Sequence, residues 1–303
     1  PAIGSSTREN NLGKGISISA GEIELNSTGN YSIQARYGKN GRFEVNLDAS
    51  EIDITGTIYG AGGNITITPR TDGIMKISPS DQAEGRTLKD NSILLTNGST
   101  LTINKDSAEL KQMQITGKIN VAGEGTSLRA NMTGDSSIKG SSSTVAIEAS
   151  NGGSVELHMS GVNSFITGDV NAITGTGSSI FLNLSEAHQE GNLKAEGNNT
   201  LNAVYSGRNS SLTGTADNKG IMNLSFGNQS ALSGDILNGV KVYEDNAFQS
   251  SFAGQLTANF DQSSWNGNLS NQGGTAGITL DRGSLWTGNL DNRGGTSGVT
   301  LSG

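Results

Sequence analysis

Two histidines are the first residues to question, because imidazole is the side chain best placed for proton transfer or metal binding near neutral pH. His158 lies in Val155-Glu156-Leu157-His158-Met159. Alternation at period two turns Val155, Leu157 and Met159 to the inner face of a strand and leaves Glu156 and His158 toward solvent. His188 lies in a charged stretch. Neither has a second histidine or a cysteine at the spacing a zinc site needs. No Asp-rich loop of the kind that wraps calcium occurs. Gly134-Asp135-Ser136-Ser137 could open a serine-nucleophile turn, but the closing glycine is missing and both histidines lie downstream of it. The carboxylates are scattered, without the fixed pair that glycoside hydrolysis requires. No catalytic residue, metal ligand or cofactor-binding residue is assigned, and the chain is expected not to be an enzyme.

What recurs instead is a polar pattern. A unit reading apolar, polar, Gly, polar, apolar appears as Ile54-Thr55-Gly56-Thr57-Ile58, Ile115-Thr116-Gly117-Lys118-Ile119 and Ile166-Thr167-Gly168-Asp169-Val170. It returns as Leu212-Thr213-Gly214-Thr215-Ala216, Leu232-Ser233-Gly234-Asp235-Ile236 and Phe252-Ala253-Gly254-Gln255-Leu256. The two polar positions of each unit face outward if the apolar ones face inward. They form a candidate adhesive face: Thr116 and Lys118, Thr167 and Asp169, Thr213 and Thr215, Ser233 and Asp235, Asn266 and Asn268, Thr287 and Asn289. Thr55 and Thr57 extend it toward the N-terminus. The mixed side chains lack the flat hydroxyl lattice of an ice-binding face. A register shift of one residue would turn Asn or Ser ladders inward, and an outer face that only keeps the protein soluble is the plain alternative.

These positions need an element that repeats them at fixed spacing, and composition says which. Of 303 residues only 32% are apolar and 16% charged, with 44 Gly, 3 Pro and no Cys. That is too little charge and proline for a disordered chain and too little apolar mass for a thick core. A solenoid buries only a narrow stack of side chains per turn. The net charge of −8 disfavours nucleic acid, which needs a basic stripe, and adsorption to an anionic bilayer. No apolar run approaches the ~20 residues that span a membrane.

The clearest repeat is Ser264-Trp265-Asn266-Gly267-Asn268-Leu269 against Leu285-Trp286-Thr287-Gly288-Asn289-Leu290, 21 residues later. Short alternating runs such as Phe43-Glu44-Val45-Asn46-Leu47 and Ile180-Phe181-Leu182-Asn183-Leu184 fill the intervals, separated by Gly, Asn and Asp turns. The expected fold is all-β, a right-handed parallel β-helix of about 20 to 21 residues per coil. It would make roughly 12–14 coils and a rod on the order of 60–70 Å. Trp265 and Trp286 are read as core-stack residues rather than sugar platforms. Residues 79–91, 105–114 and 186–199 break the alternation and are expected to leave the solenoid as loops.

On these residues, and above all on Trp265 to Leu269 and Trp286 to Leu290, the chain resembles the passenger domain of monomeric bacterial autotransporters, of the AIDA and antigen-43 self-associating adhesin kind. The resemblance implies a single β-helical domain over 1–303, a fragment of a passenger whose translocator barrel is not included. It implies display from the outer membrane on the bacterial cell surface and a role in adhesion, aggregation and biofilm formation. The partner would be the same protein on a neighbouring cell, or a host matrix protein or glycan bound without self-association. A polysaccharide-active β-helix enzyme is the third reading.

Overall fold

The alternating runs close into a right-handed parallel β-helix of about 11 turns. The computed structural model describes the chain except residues 1–2, 5–14, 39–40, 81–89, 141–143, 245–246 and 303. Each turn has three walls, and each wall stacks its inward side chains in register with the turns on either side. On the first wall Val155, Ile180, Leu201 and Met222 form one such column. Ile115, Ile138 and Ile166 do so on the second wall, and Val170, Leu193, Ala216 and Ile236 on the third. All of these are buried. Burial of one such aliphatic side chain is worth ~1.5–3 kcal/mol, and β-branched residues suit the pleated, half-buried surface. The strand Ser154–Thr167 runs along the first wall and, past Gly161, along the second.

The turn count is lower than the repeat spacing predicts because most turns are longer than 21 residues. Leu101 and Leu128 pair across 27 residues, Val155 and Ile180 across 25, and Ile180 and Leu201 across 21. Only the later turns keep the short period. Met222 and Leu256 pair across 34 residues, because an antiparallel hairpin, Val240–Glu244 with Ala247–Phe252, is inserted there. This explains why the glycine spacing breaks after Gly234. Gly254 does not belong to the corner of the other units; it pairs with Gly274 on the first wall, and the corner glycine that follows Gly234 is Gly267.

Two of the three expected loops need correction. Residues 186–199 belong to the walls: the strands Ser179–Glu190 and Leu193–Ser206 run through them. They break the apolar pattern because Glu186 bends the chain at φ 56° and Gln189 takes an inward position. Residues 105–111 do leave the wall, without a helical turn, but the strand Gln112–Thr116 resumes it. Most of the 79–91 excursion lies outside the described residues, and the wall resumes with Asn91–Thr96.

The core changes chemistry along the rod. Toward the C-terminal end, aliphatic columns give way to a continuous aromatic stack. Tyr205, Phe226 and Phe260 lie face to face on the first wall at centroid spacings of 4.8 and 4.9 Å. Phe260 then meets Trp265 across the corner at 5.6 Å, and Trp265 meets Trp286 at 4.6 Å. The reading of both tryptophans as core-stack residues holds. On the third wall an inward ladder of asparagines runs beside them: Asn218 donates to Asn238, Asn238 to Asn271 and Asn271 to Asn292, at 2.7, 2.9 and 3.1 Å.

Candidate functional site

The repeated unit forms the corner between the second and third walls. Its first residue is inward on the second wall, its fifth is inward on the third, and the glycine makes the bend. Gly214 and Gly234 sit at φ 151° and 149°, conformations that L side chains avoid. A Cβ at Gly234 would also collide with the carbonyl oxygen of Gly214 in the turn before. The glycine is therefore required twice, by the bend and by the backbone packed against it.

The two polar positions of the unit separate in chemistry. The first forms one straight row at the rim of the second wall: Thr116, Lys139, Thr167, Glu190, Thr213, Ser233, Asn266 and Thr287 are paired turn to turn in that order. All are exposed. None of the row's threonine or serine hydroxyls, nor the Asn266 amide, is spent on an internal hydrogen bond. Lys139 and Glu190 have no ion-pair partner among the described residues.

The second position is consumed by the fold. Asp169 accepts the backbone and side-chain N–H groups of Asn192 at 2.8 and 3.1 Å, and Asn192 in turn accepts the Thr215 N–H at 2.9 Å. Asp235 holds Asn268 in the same way at 2.8 and 3.0 Å, and Asn268 holds Asn289 at 3.0 and 3.2 Å. Each carboxylate or amide oxygen satisfies a backbone donor freed by the bend. Lys118 pairs with Glu148 at 3.0 Å. Thr57 is a correction of another kind: it is fully buried and donates to the Asn91 carbonyl at 2.8 Å, while Thr55 stays half-buried. Of the predicted face, Thr116, Thr167, Thr213, Ser233, Asn266 and Thr287 form the row, whereas Asp169, Thr215, Asp235, Asn268 and Asn289 form a structural ladder beside it.

Sequence reasoning missed Lys139 and Glu190. Glu190 follows Gln189, which breaks the apolar template, and Lys139-Gly140 is followed by extra residues before the next apolar one. Beside the row, Phe165 is half-buried, with Lys139 Nζ 5.0 Å from its ring centroid and the exposed His188 stacked 5.6 Å away at 24°.

The other histidine lies on the first wall in a polar chain. Arg129 approaches Glu156 at 3.5 Å, Glu156 Oε1 lies 2.9 Å from His158 Nε2, and Asn183 Nδ2 lies 3.4 Å from His158 Nδ1. The Phe181 ring meets the imidazole edge-on at 5.6 Å. Both imidazole nitrogens are engaged, so no serine is positioned against a free basic nitrogen there. Among the described residues no group of three or more His, Cys, Asp or Glu side chains converges as a metal site. No family model matches the chain, and no curated protein or solved structure is similar enough to stand as a relative.

Proposed function

We propose that the protein is a bacterial cell-surface adhesin, displayed from the outer membrane in the manner of an autotransporter passenger, that pairs with a second copy of itself on a neighbouring cell through the exposed row of the second wall. The observation that carries this reading is the order of charges in the row. Thr167 has Lys139 one turn below it and Glu190 one turn above. Two antiparallel copies laid face to face about a two-fold axis at Thr167 place each Lys139 opposite the other copy's Glu190. The same operation puts Phe165 against Phe165 and the hydroxyl and amide side chains along the flanks. Isologous pairing demands this kind of self-complementarity, and alternating charge sets register more than raw affinity. Each polar contact is worth only ~0.5–1.5 kcal/mol, so binding is reversible for one pair of rods and becomes strong through many copies on a cell. The arrangement needs no active site, in keeping with a chain that is not an enzyme.

Sedimentation velocity of the purified chain across a wide concentration range tests it. The expected result is a concentration-dependent dimer that Lys139→Glu or Glu190→Lys abolishes and the double exchange restores. A dimer indifferent to both single substitutions, or a monomer at every concentration joined to cells that do not aggregate when they display the chain, overturns it.

A further inference from the structure

We propose that a cleft on the first wall, remote from the row of the second, is a binding site for a single neutral sugar ring. The cleft has a volume of about 160 Å³, room for one pyranose rather than a chain. Its outer rim is made by two neighbouring outward positions in successive turns: His158 and Asn183 in one, Ser160 and Ser185 in the next. Met132 and Met159 lie beneath, both buried. Ser107 closes one side from the loop that leaves the wall after Asn104.

That loop is fixed. Asn104 and Asn131 each donate a side-chain N–H to the other's backbone carbonyl, both at 2.9 Å, and Thr133 Oγ1 donates to the Ala108 carbonyl at 2.6 Å. The imidazole is fixed as well, held between Glu156 and Asn183 with Phe181 against its edge. The wall of the cleft is therefore already in place before a ligand arrives, which spares the ordering cost of binding.

The free groups decide the ligand class. The hydroxyls of Ser107, Ser160 and Ser185 and the Asn183 amide oxygen make no hydrogen bond within the protein. Hydroxyls donate and accept, so this set matches ring hydroxyls, which do both. The polarizable methionine floor suits the C–H face of a sugar. No ammonium or guanidinium lines the cleft, and the neighbouring Arg129 and Glu156 are paired with each other. An anionic sugar would find no counter-charge, and a neutral one needs none.

The test is NMR on the whole chain with the methyl glycosides of glucose, galactose and mannose as probes and N-acetylneuraminate as the anionic control. A ring with so few atoms gives a dissociation constant on the order of 1 mM. The expected result is a shift of the His158 imidazole and Asn183 amide signals with at least one neutral glycoside. Ser160→Ala and Asn183→Ala should each weaken it roughly 3- to 10-fold, and Ser185→Val, which narrows the cleft, should remove it. Far-UV circular dichroism checks that each variant is folded, and mapping on the unaltered chain stands without them. No shift at these residues with any neutral glycoside, shifts unchanged by the substitutions, or tighter binding of N-acetylneuraminate would each overturn the proposal.

Discussion

Trp286 lies parallel to Trp265, ring centroids 4.6 Å apart at 4°, and each indole Nε1 donates to a corner glycine carbonyl, Gly267 and Gly234 respectively, at 2.9 Å. The aromatic stack is thus tied to the glycine corner, since the indole reaches a carbonyl in the preceding turn. Trp265 is buried between two rings, whereas Trp286 is half-buried. Trp265→Ala should cost about 3–5 kcal/mol and Trp286→Ala distinctly less. Solenoids open from weak repeats rather than all at once, so hydrogen exchange is the better probe than one melting temperature. Trp265→Ala should deprotect the strands from Gly254–Asp261 onward while the N-terminal turns keep their protection. Equal loss along the whole rod would argue against a local role.

The asparagine ladder supports a second prediction. Asn238 is fully buried, accepts from Asn218 and donates to Asn271. Asn238→Asp keeps the shape but removes that donor and places an ionisable group in the core. Burial raises a carboxyl's pKa, so the variant's added stability is present below the unfolded carboxyl range and lost as pH rises through the raised folded value. Melting of Asn238→Asp should therefore move to lower temperature between about pH 4 and pH 7 relative to the unaltered chain. Parallel curves over that interval would mean that water reaches the ladder.

The walls were legible in the sequence because period-two alternation and a required glycine are local signals. Ile166, Gly168 and Val170 announce two walls and the corner between them. The face was legible only in part. Alternation turns both Thr167 and Asp169 outward, yet it cannot say that Asp169 spends its carboxylate on Asn192, because that partner comes 23 residues later through a turn of variable length. Gln189 misled in the opposite direction. It stands at an inward position and is tolerated there because the Tyr205 hydroxyl donates to it at 2.8 Å. That polar contact made a wall read as a loop and hid Glu190. The inserted hairpin was invisible because its residues alternate like wall strands.

The split between row and ladder yields opposite outcomes for neighbouring residues. Asn268→Ala removes the acceptor of the Asn289 N–H and two donors to Asp235. It should cost about 1 kcal/mol of stability and leave self-association unchanged. Thr167→Arg changes an exposed side chain with no internal bond, so melting should stay within about 0.5 kcal/mol of the unaltered chain. It should nevertheless abolish the dimer, since the two-fold axis sets the two arginines against each other. Sedimentation velocity and thermal melts on both variants read the two properties separately. A Thr167→Arg chain that still dimerises would move the contact off the second wall.

At the N-terminal end, Arg70 bridges two turns of the first wall. Its Nε donates to Asp48 at 2.8 Å and its Nη2 to Ser19 at 2.9 Å. The hydrogen bond from Arg70 is the main reason the Asp48 carboxyl is held below its ordinary value, opposed slightly by desolvation and helped by the charge of Arg70 and the Ser19 hydroxyl. A depressed carboxyl contributes stability above the unfolded carboxylate range, and that contribution is lost as pH falls through the folded value. The pair is exposed, so the effect on overall stability is small, and the group itself is the readout. Carboxyl NMR titration should place Asp48 below the ordinary aspartate value of about 3.9, and Arg70→Gln or high salt should move it back up. An Asp48 titration that ignores both changes would show that the arginine does not hold this contact in solution, leaving the first two turns joined by backbone hydrogen bonds and the Val45 and Leu47 columns alone.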